Sequence, residues 1–252
     1  MRGYRTFQHW NKWLTEKHLG NDLLAAEHRY LSNMLSNHFG KHALLIGTPA
    51  QASLLSASTI LCHTIISPLP VAKKGFVEGD FRELPILTGS MDLVVLPHAL
   101  ELVDHPRQLL AEACRVTKPE GLIVISGFNP MSLWGLSKSL RKRLDIPWPN
   151  KLLPPGTVRN WLDLADFEME QYRSMLFRPP IENLNIYNKL HWLESMGEKC
   201  IPLLGGVYIS IARAKVIPLT PIKLKWKQAF GGIHVPNMAG HIARHTNIKS
   251  CK

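Results

Sequence analysis

The stretch Met91 to Ser126, MDLVVLPHALELVDHPRQLLAEACRVTKPEGLIVIS, decides the fold. DLVVL and LIVIS are continuous apolar runs of strand length, the pattern of strands covered by helices on both sheet faces. The residues between them fit a helix over about 106–117. Strand, helix and strand in that order read as one parallel crossover unit, with strands at 92–96 and 122–126.

The same alternation extends outward. Strands fit 43–47, 63–67 and 75–78, and helices fit 51–61 and 156–165. Together they predict an α/β fold: a Rossmann-like, seven-stranded, mostly parallel sheet with helices on both faces and a last antiparallel strand. The two late strands are FEMEQYRSML and GGVYISIARAKV, the second alternating Val207, Ile209 and Ile211 with Tyr208, Ser210 and Ala212. A helix behind a Pro-Pro loop fits between them.

Residues 1–40 read as a helical segment. Phe7, Trp10 and Leu14 recur at helical spacing, as do Leu23, Leu24, Glu27, Tyr30, Leu31, Met34 and Leu35, with Asn21 or Asp22 as a start and Gly40 as a stop. The α/β domain then covers 41–217, with a cap or insertion at about 128–155. Residues 218–252 show no periodicity and read as a basic, flexible tail.

Composition sets further bounds. The 252 residues carry a net charge of +11, yet residues 1–198 account for only +2, because nine cations and no carboxylate follow Glu198. A second basic cluster is KSLRKRL, Lys138 to Leu144. Such segments attract polyanions, so weak polyanion contact through the tail is one expectation, beside simple solubility. The four cysteines are widely spaced without a C-x-x-C, which points to a reducing cytoplasmic setting, with neither a disulfide framework nor a metal site. MRGYRTFQHWNKWL lacks the apolar core of a secretory signal. Between Lys41 and Lys73 no charged side chain occurs, but Pro49, Gln51, His63, Pro68 and Pro70 make that stretch a buried strand-helix-strand unit and not a membrane span.

In an open α/β sheet, ligands bind beyond the carboxyl ends of the strands. Those positions are Gly47-Thr48, Ser67-Pro68, Gly79-Asp80-Phe81, Pro97-His98 and Gly127-Phe128-Asn129. One carboxylate, one imidazole, an aromatic ring and small residues suit a cofactor cleft better than a hydrolytic centre. No nucleophile elbow, Walker lysine loop or HExxH is present.

Val77 to Pro130 closely resembles the class I S-adenosylmethionine-dependent methyltransferases of the type 11 kind. Gly79-Asp80 with Leu84-Pro85, the strand MDLVV, RQLLAEACRVTKPEG and the strand LIVIS carry the likeness. PPGTVRNWLDLADFEMEQY resembles the family's next helix and strand, GGVYISIARAKV resembles its final strand, and the whole spans about 40–216. The resemblance implies S-adenosyl-L-methionine as cofactor. It places Gly47 in the cofactor loop, Asp80 at the adenine amino group and Phe81 against the adenine. It sets Pro97 and His98 under the methionine and facing the acceptor. Ser67 stands where the ribose is held, and His98 becomes the candidate base, with Glu101 one turn on to orient it.

Two departures stand out. Only Gly47 remains of the glycine loop, with Pro49 and Gln51 where small residues are expected. No Asp or Glu occurs between Glu27 and Glu78, so the ribose carboxylate is missing. Loss of such bonds, ~1.5–3 kcal/mol, weakens binding roughly ten- to a hundredfold. The leading expectation is therefore a methyltransferase acting on an unidentified small-molecule or macromolecular acceptor. The alternative is a catalytically silent methyltransferase-like module that binds a protein or nucleic acid. A dinucleotide oxidoreductase ranks third, since it needs the same glycines and acid. Met131 and Trp134, with Phe128 and Asn129, are candidate acceptor contacts in the cap.

Overall fold

A computed structural model describes residues 2–72, 74–79, 81–138, 146–149 and 151–215. Asp80, most of KSLRKRL and the basic tail lie outside the described residues. The chain divides into two units, Met1–Val216 and Ile217–Lys252.

Seven strands form one sheet: β1 (His42–Ile46), β2 (Cys62–Ser67), β3 (Phe76–Glu78), β4 (Met91–Pro97), β5 (Thr117–Phe128), β6 (Phe167–Met175) and β7 (Val207–Ala214). Their order is β3-β2-β1-β4-β5-β7-β6. The first five strands run parallel, and β7 is antiparallel to both β5 and β6. The central strands are apolar on both faces because both are covered. Leu44, Ile46, Val94, Leu96, Ile123 and Ile125 join one core, whereas Ala43, Leu45, Leu93, Val95, Leu122 and Val124 join the other.

The amino-terminal helices are α1 (Arg2–Glu16) and α2 (His18–Leu35). They belong to the same cores as the sheet and do not stand apart from the α/β domain. Phe7, Trp10, Trp13 and Leu14 bury the inner face of α1, at about 1.5–3 kcal/mol for each side chain removed from water. α2 starts three residues before the expected Asn21, and the α1–α2 crossing explains why. A Cβ on Gly20 would lie 2.3 Å from the Trp13 carbonyl oxygen, so only glycine permits that approach.

The expected helix at 51–61 is instead a short 3₁₀ helix, Pro49–Leu55. Hydroxyls beyond it take bonds that a helix would have made: Ser58 Oγ accepts from the Ile60 amide, and Thr59 donates to the His38 carbonyl at 2.7 Å. That face of the sheet is covered by α2 instead, whose Leu31, Met34 and Leu35 join Leu54, Leu55 and the strands.

No helix occupies the β2–β3 or β3–β4 connections among the described residues. After β4 come α3 (Ala99–Leu102) and α4 (Pro106–Val116). Arg115 of α4 ties down the β3–β4 connection: it binds the Glu112 carboxylate at 2.7–2.8 Å, donates to the Leu84 and Ile86 carbonyls, and reaches Thr88 Oγ1 at 2.8 Å. The later helices are α5 (Leu133–Ser137), α6 (Pro155–Leu164), α7 (Leu184–Lys189) and α8 (Trp192–Cys200). The single helix expected before β7 is thus two short ones. Among the described residues no helix is long and apolar enough to cross a membrane.

Candidate functional site

Strand order reverses between β1 and β4, the position at whose carboxyl ends ligands bind in open α/β sheets. Gly47 ends β1, and its amide donates to the Ile66 carbonyl at 3.1 Å. Thr48 caps the 3₁₀ helix, with Pro49 at its first position, where a proline costs no hydrogen bond. The carboxamide of Gln51 then folds back between the ends of β1 and β4. Its Oε1 accepts from the Thr48 amide at 2.9 Å and from Thr48 Oγ1 at 3.1 Å, while its Nε2 donates to the Pro97 carbonyl at 3.0 Å. A Cβ on Gly47 would stand 2.6 Å from that Oε1. Glycine here makes room for the protein's own side chain.

α1 lies over the same rim. Asn11 Oδ1 accepts from the Ala50 amide at 2.9 Å. Phe7 meets Phe81 edge to face at 5.2 Å between ring centroids, which buries Phe81. Trp10, fully buried, packs on His98 and Phe128. Ser67 is buried at the end of β2, where its Oγ accepts from the Leu69 amide at 3.1 Å.

His98 follows β4 with φ of 55°, a left-handed conformation that costs a non-glycine residue energy. Its ring is only 1% exposed and sits between two buried carboxylates. Nδ1 stands 3.1 Å from Glu101 Oε2, and Nε2 stands 3.3 Å from Glu27 Oε1 of α2. Glu27 also accepts from Ser126 Oγ, and Glu101 accepts from the Phe128 amide at 3.0 Å. Burial pushes the imidazole down, but the two carboxylates outweigh it and hold its pKa up at about 9. Burial pushes Glu101 up, partly offset by His98 and the Phe128 amide. The imidazole is thus a cation at neutral pH, an arrangement that fastens α2 to β4 and β5.

The rim residues therefore fall into two groups. Gly47 and Pro97 lie together at the carboxyl ends of β1 and β4, Ser67 lies at the end of β2 and Phe81 packs on α1, whereas His98 is buried between Glu27 and Glu101. Gln51, Asn11, Trp10 and Glu27 pack around these residues, and of the four the sequence singled out only Gln51, as a side chain where a small residue was expected. Glu27 carried one signal: a carboxylate within the apolar stripe of α2. Among the described residues no cluster of His, Cys, Asp or Glu could hold a metal ion.

A family model described as a methyltransferase domain matches residues 61–125. The uncharacterized protein YafS of Escherichia coli K12 is 30% identical over 198 residues, covering 76% of this chain and 76% of YafS. A chain from the solved complex between the Haloferax volcanii Trm112 methyltransferase activator and its methyltransferase superposes with a TM-score of 0.61 at 16% identity, over 84% of this chain and 98% of that one. A SAM-dependent methyltransferase from Archaeoglobus fulgidus gives 0.54 at 20% identity, over 77% and 93%. The strand order, the domain match and the extended identity to YafS agree: the chain belongs to the class I S-adenosylmethionine-dependent methyltransferase family.

Proposed function

We propose that this protein transfers a methyl group from S-adenosylmethionine to an acceptor, and that the present conformation is a closed one in which Gln51 fills the cofactor crevice. One observation carries the reading. At the strand crossover, the Thr48 amide and the Pro97 carbonyl point at a single carboxamide, at 2.9 and 3.0 Å. A backbone donor and a backbone acceptor so placed complement the carboxylate and ammonium of an amino acid. Once Gln51 swings out, the crevice fits the methionine end of the cofactor.

The other end is weaker. Ser67 offers a hydroxyl where a carboxylate is missing, and Phe81 supplies an apolar wall. Asp80, outside the described residues, is the proposed partner of the adenine amino group. When bound, S-adenosylmethionine supplies a methyl already activated by its sulfonium, so alignment of the acceptor does most of the work. Thr48, Pro97, Ser67 and Phe81 hold and orient, and α1 excludes water. His98, cationic between Glu27 and Glu101, is a positioning residue in the closed form. As a base it must first be freed from both carboxylates.

Isothermal calorimetry with S-adenosylmethionine and S-adenosylhomocysteine tests this reading. Binding that Asp80→Ala weakens about tenfold or more supports it. No heat at millimolar cofactor, for the wild type and for Gln51→Ala alike, overturns it in favour of a silent, partner-binding module.

A further inference from the structure

Trp10, His98 and Glu27 touch in sequence, and each keeps one unsatisfied polar atom. Trp10 packs on His98 with ring centroids 5.2 Å apart, and His98 Nε2 stands 3.3 Å from Glu27 Oε1. None of the three is more than 1% exposed. Among the described residues, Trp10 Nε1 and Glu27 Oε2 have no hydrogen-bond partner, and His98 Nε2, though close to Glu27, is not aligned for one. The neighbouring atoms are accounted for: His98 Nδ1 faces Glu101 at 3.1 Å, and Glu27 Oε1 accepts from Ser126 Oγ. Buried polar atoms are rarely left in this state, so the set points to a group that completes it.

The chemistry of the set selects that group. The indole nitrogen and the cationic imidazole offer donors, whereas Glu27 Oε2 offers an acceptor. An ammonium only donates and would meet the imidazolium. A carboxylate only accepts and would meet Glu27. A carbonyl leaves Glu27 Oε2 bare. A hydroxyl donates to the carboxylate and accepts from the donors, so it satisfies both kinds at once.

The surroundings favour a hydroxyl carried on a ring. Phe128 lies 4.5 Å from His98, 5.9 Å from Trp10 and 5.2 Å from Trp148, all between ring centroids. Trp148 is half-buried, so the aromatic cluster reaches the surface there, and its Nε1 is a further donor without a partner. Edge-to-face neighbours of this kind suit a planar apolar ring. Glu27, a carboxylate, is a weak base. That excludes aliphatic alcohols and retains phenols, whose pKa is about 10.

We propose that Trp10, His98 and Glu27 receive the hydroxyl of a phenol, and that Glu27 is the base for its methylation. The inference rests on the methyltransferase reading above and narrows its acceptor. The phenol oxygen takes the methyl carbon with a lone pair, the electron pair of the broken carbon–sulfur bond stays on sulfur, and the phenol proton passes to Glu27 Oε2.

The test is calorimetry of the full chain with 2-naphthol, 2-naphthylamine and naphthalene, followed by transfer of labelled methyl from S-adenosylmethionine. 2-Naphthol should bind about tenfold tighter than the other two, with or without cofactor, and should take up label. Trp10→Phe keeps a ring and removes the N–H, and should lose about tenfold in 2-naphthol affinity. Glu27→Gln should methylate 2-naphthol about a hundredfold more slowly. It should match the wild type on 4-nitrophenol, which is already ionised in mildly alkaline buffer and needs no base. Equal affinity for the three naphthalenes, or preference for the amine, overturns the proposal and leaves water as the group between these atoms. Equal losses on both phenols in Glu27→Gln make Glu27 a structural residue and overturn the base. Cofactor heat without label on 2-naphthol overturns the proposal while the methyltransferase reading stands. Absence of cofactor heat overturns that reading instead, and the preference for 2-naphthol then decides hydroxyl binding by itself.

Discussion

Gln51 and Pro97 are joined at the carboxyl ends of β1 and β4 by a buried hydrogen bond of 3.0 Å, from the side-chain amide of one to the main-chain carbonyl of the other. The Thr48 amide closes the same carboxamide from the opposite side at 2.9 Å. This backbone donor and this backbone acceptor are thus already satisfied by the protein's own side chain.

Removing the carboxamide should free them. Gln51→Ala is expected to bind S-adenosylhomocysteine about tenfold tighter than wild type, or ~1.4 kcal/mol, close to the net worth of one or two neutral hydrogen bonds. Titration calorimetry on both proteins measures this directly. Equal or weaker affinity would show that Gln51 supports the site and does not compete for it.

Gly47→Ala puts a methyl 2.6 Å from Gln51 Oε1. It should destabilise the fold by about 1–3 kcal/mol. In the double variant with Gln51→Ala the clash vanishes, so a thermodynamic cycle from urea denaturation should give a coupling of about 1 kcal/mol or more. Additive costs would place the strain elsewhere.

The imidazole of His98 predicts a pH dependence. Its pKa in the fold is raised to about 9 from an ordinary 6.5, so the unfolded chain releases the proton first. Its contribution is fully present below pH 6.5 and disappears as pH rises through about 9; the loss is on the order of 3 kcal/mol. Glu101, also raised, acts with the same sign. His98→Asn, a residue that tolerates the left-handed backbone, should flatten the stability profile between those limits. A wild-type profile that is flat already would falsify the charged pairing.

Arg115 holds a connection that has no helix of its own, through two carbonyls, a hydroxyl and the Glu112 carboxylate. Lysine keeps the charge but not the fork. Arg115→Lys is therefore expected to cost about 1–2 kcal/mol and to speed amide exchange around 84–88. Unchanged exchange there would show that packing alone fixes the segment.

These residues also show what the sequence revealed. DLVVL and LIVIS announced themselves because strands covered on both faces must be apolar throughout, and the crossover between them could only be parallel. Gly47 was legible as the end of β1, which stands where the strand order reverses. That its missing Cβ admits Gln51 was not legible, because spacing does not reveal which way a side chain turns. Pro49, read as an obstacle, starts the 3₁₀ helix. The helix expected after it was read from 51–61, but serine and threonine hydroxyls and the presence of α2 decide otherwise. Glu101 beside His98 was visible as a one-turn neighbour. Glu27, which completes that pair, arrives by tertiary packing alone.

The cover that α2 gives the sheet has a consequence for how the chain acquires its structure. Glu27 meets Ser126, 99 residues later, and Tyr30 meets Gln171, 141 residues later. Contacts of such high sequence separation slow folding, since long loops must close before they are rewarded. During synthesis the apolar stripe of α2 leaves the ribosome well before the strands that will receive it. α1, the 3₁₀ helix and the first two strands can receive part of that stripe early, but the Glu27 end of α2 is completed only when the later strands of the sheet exist.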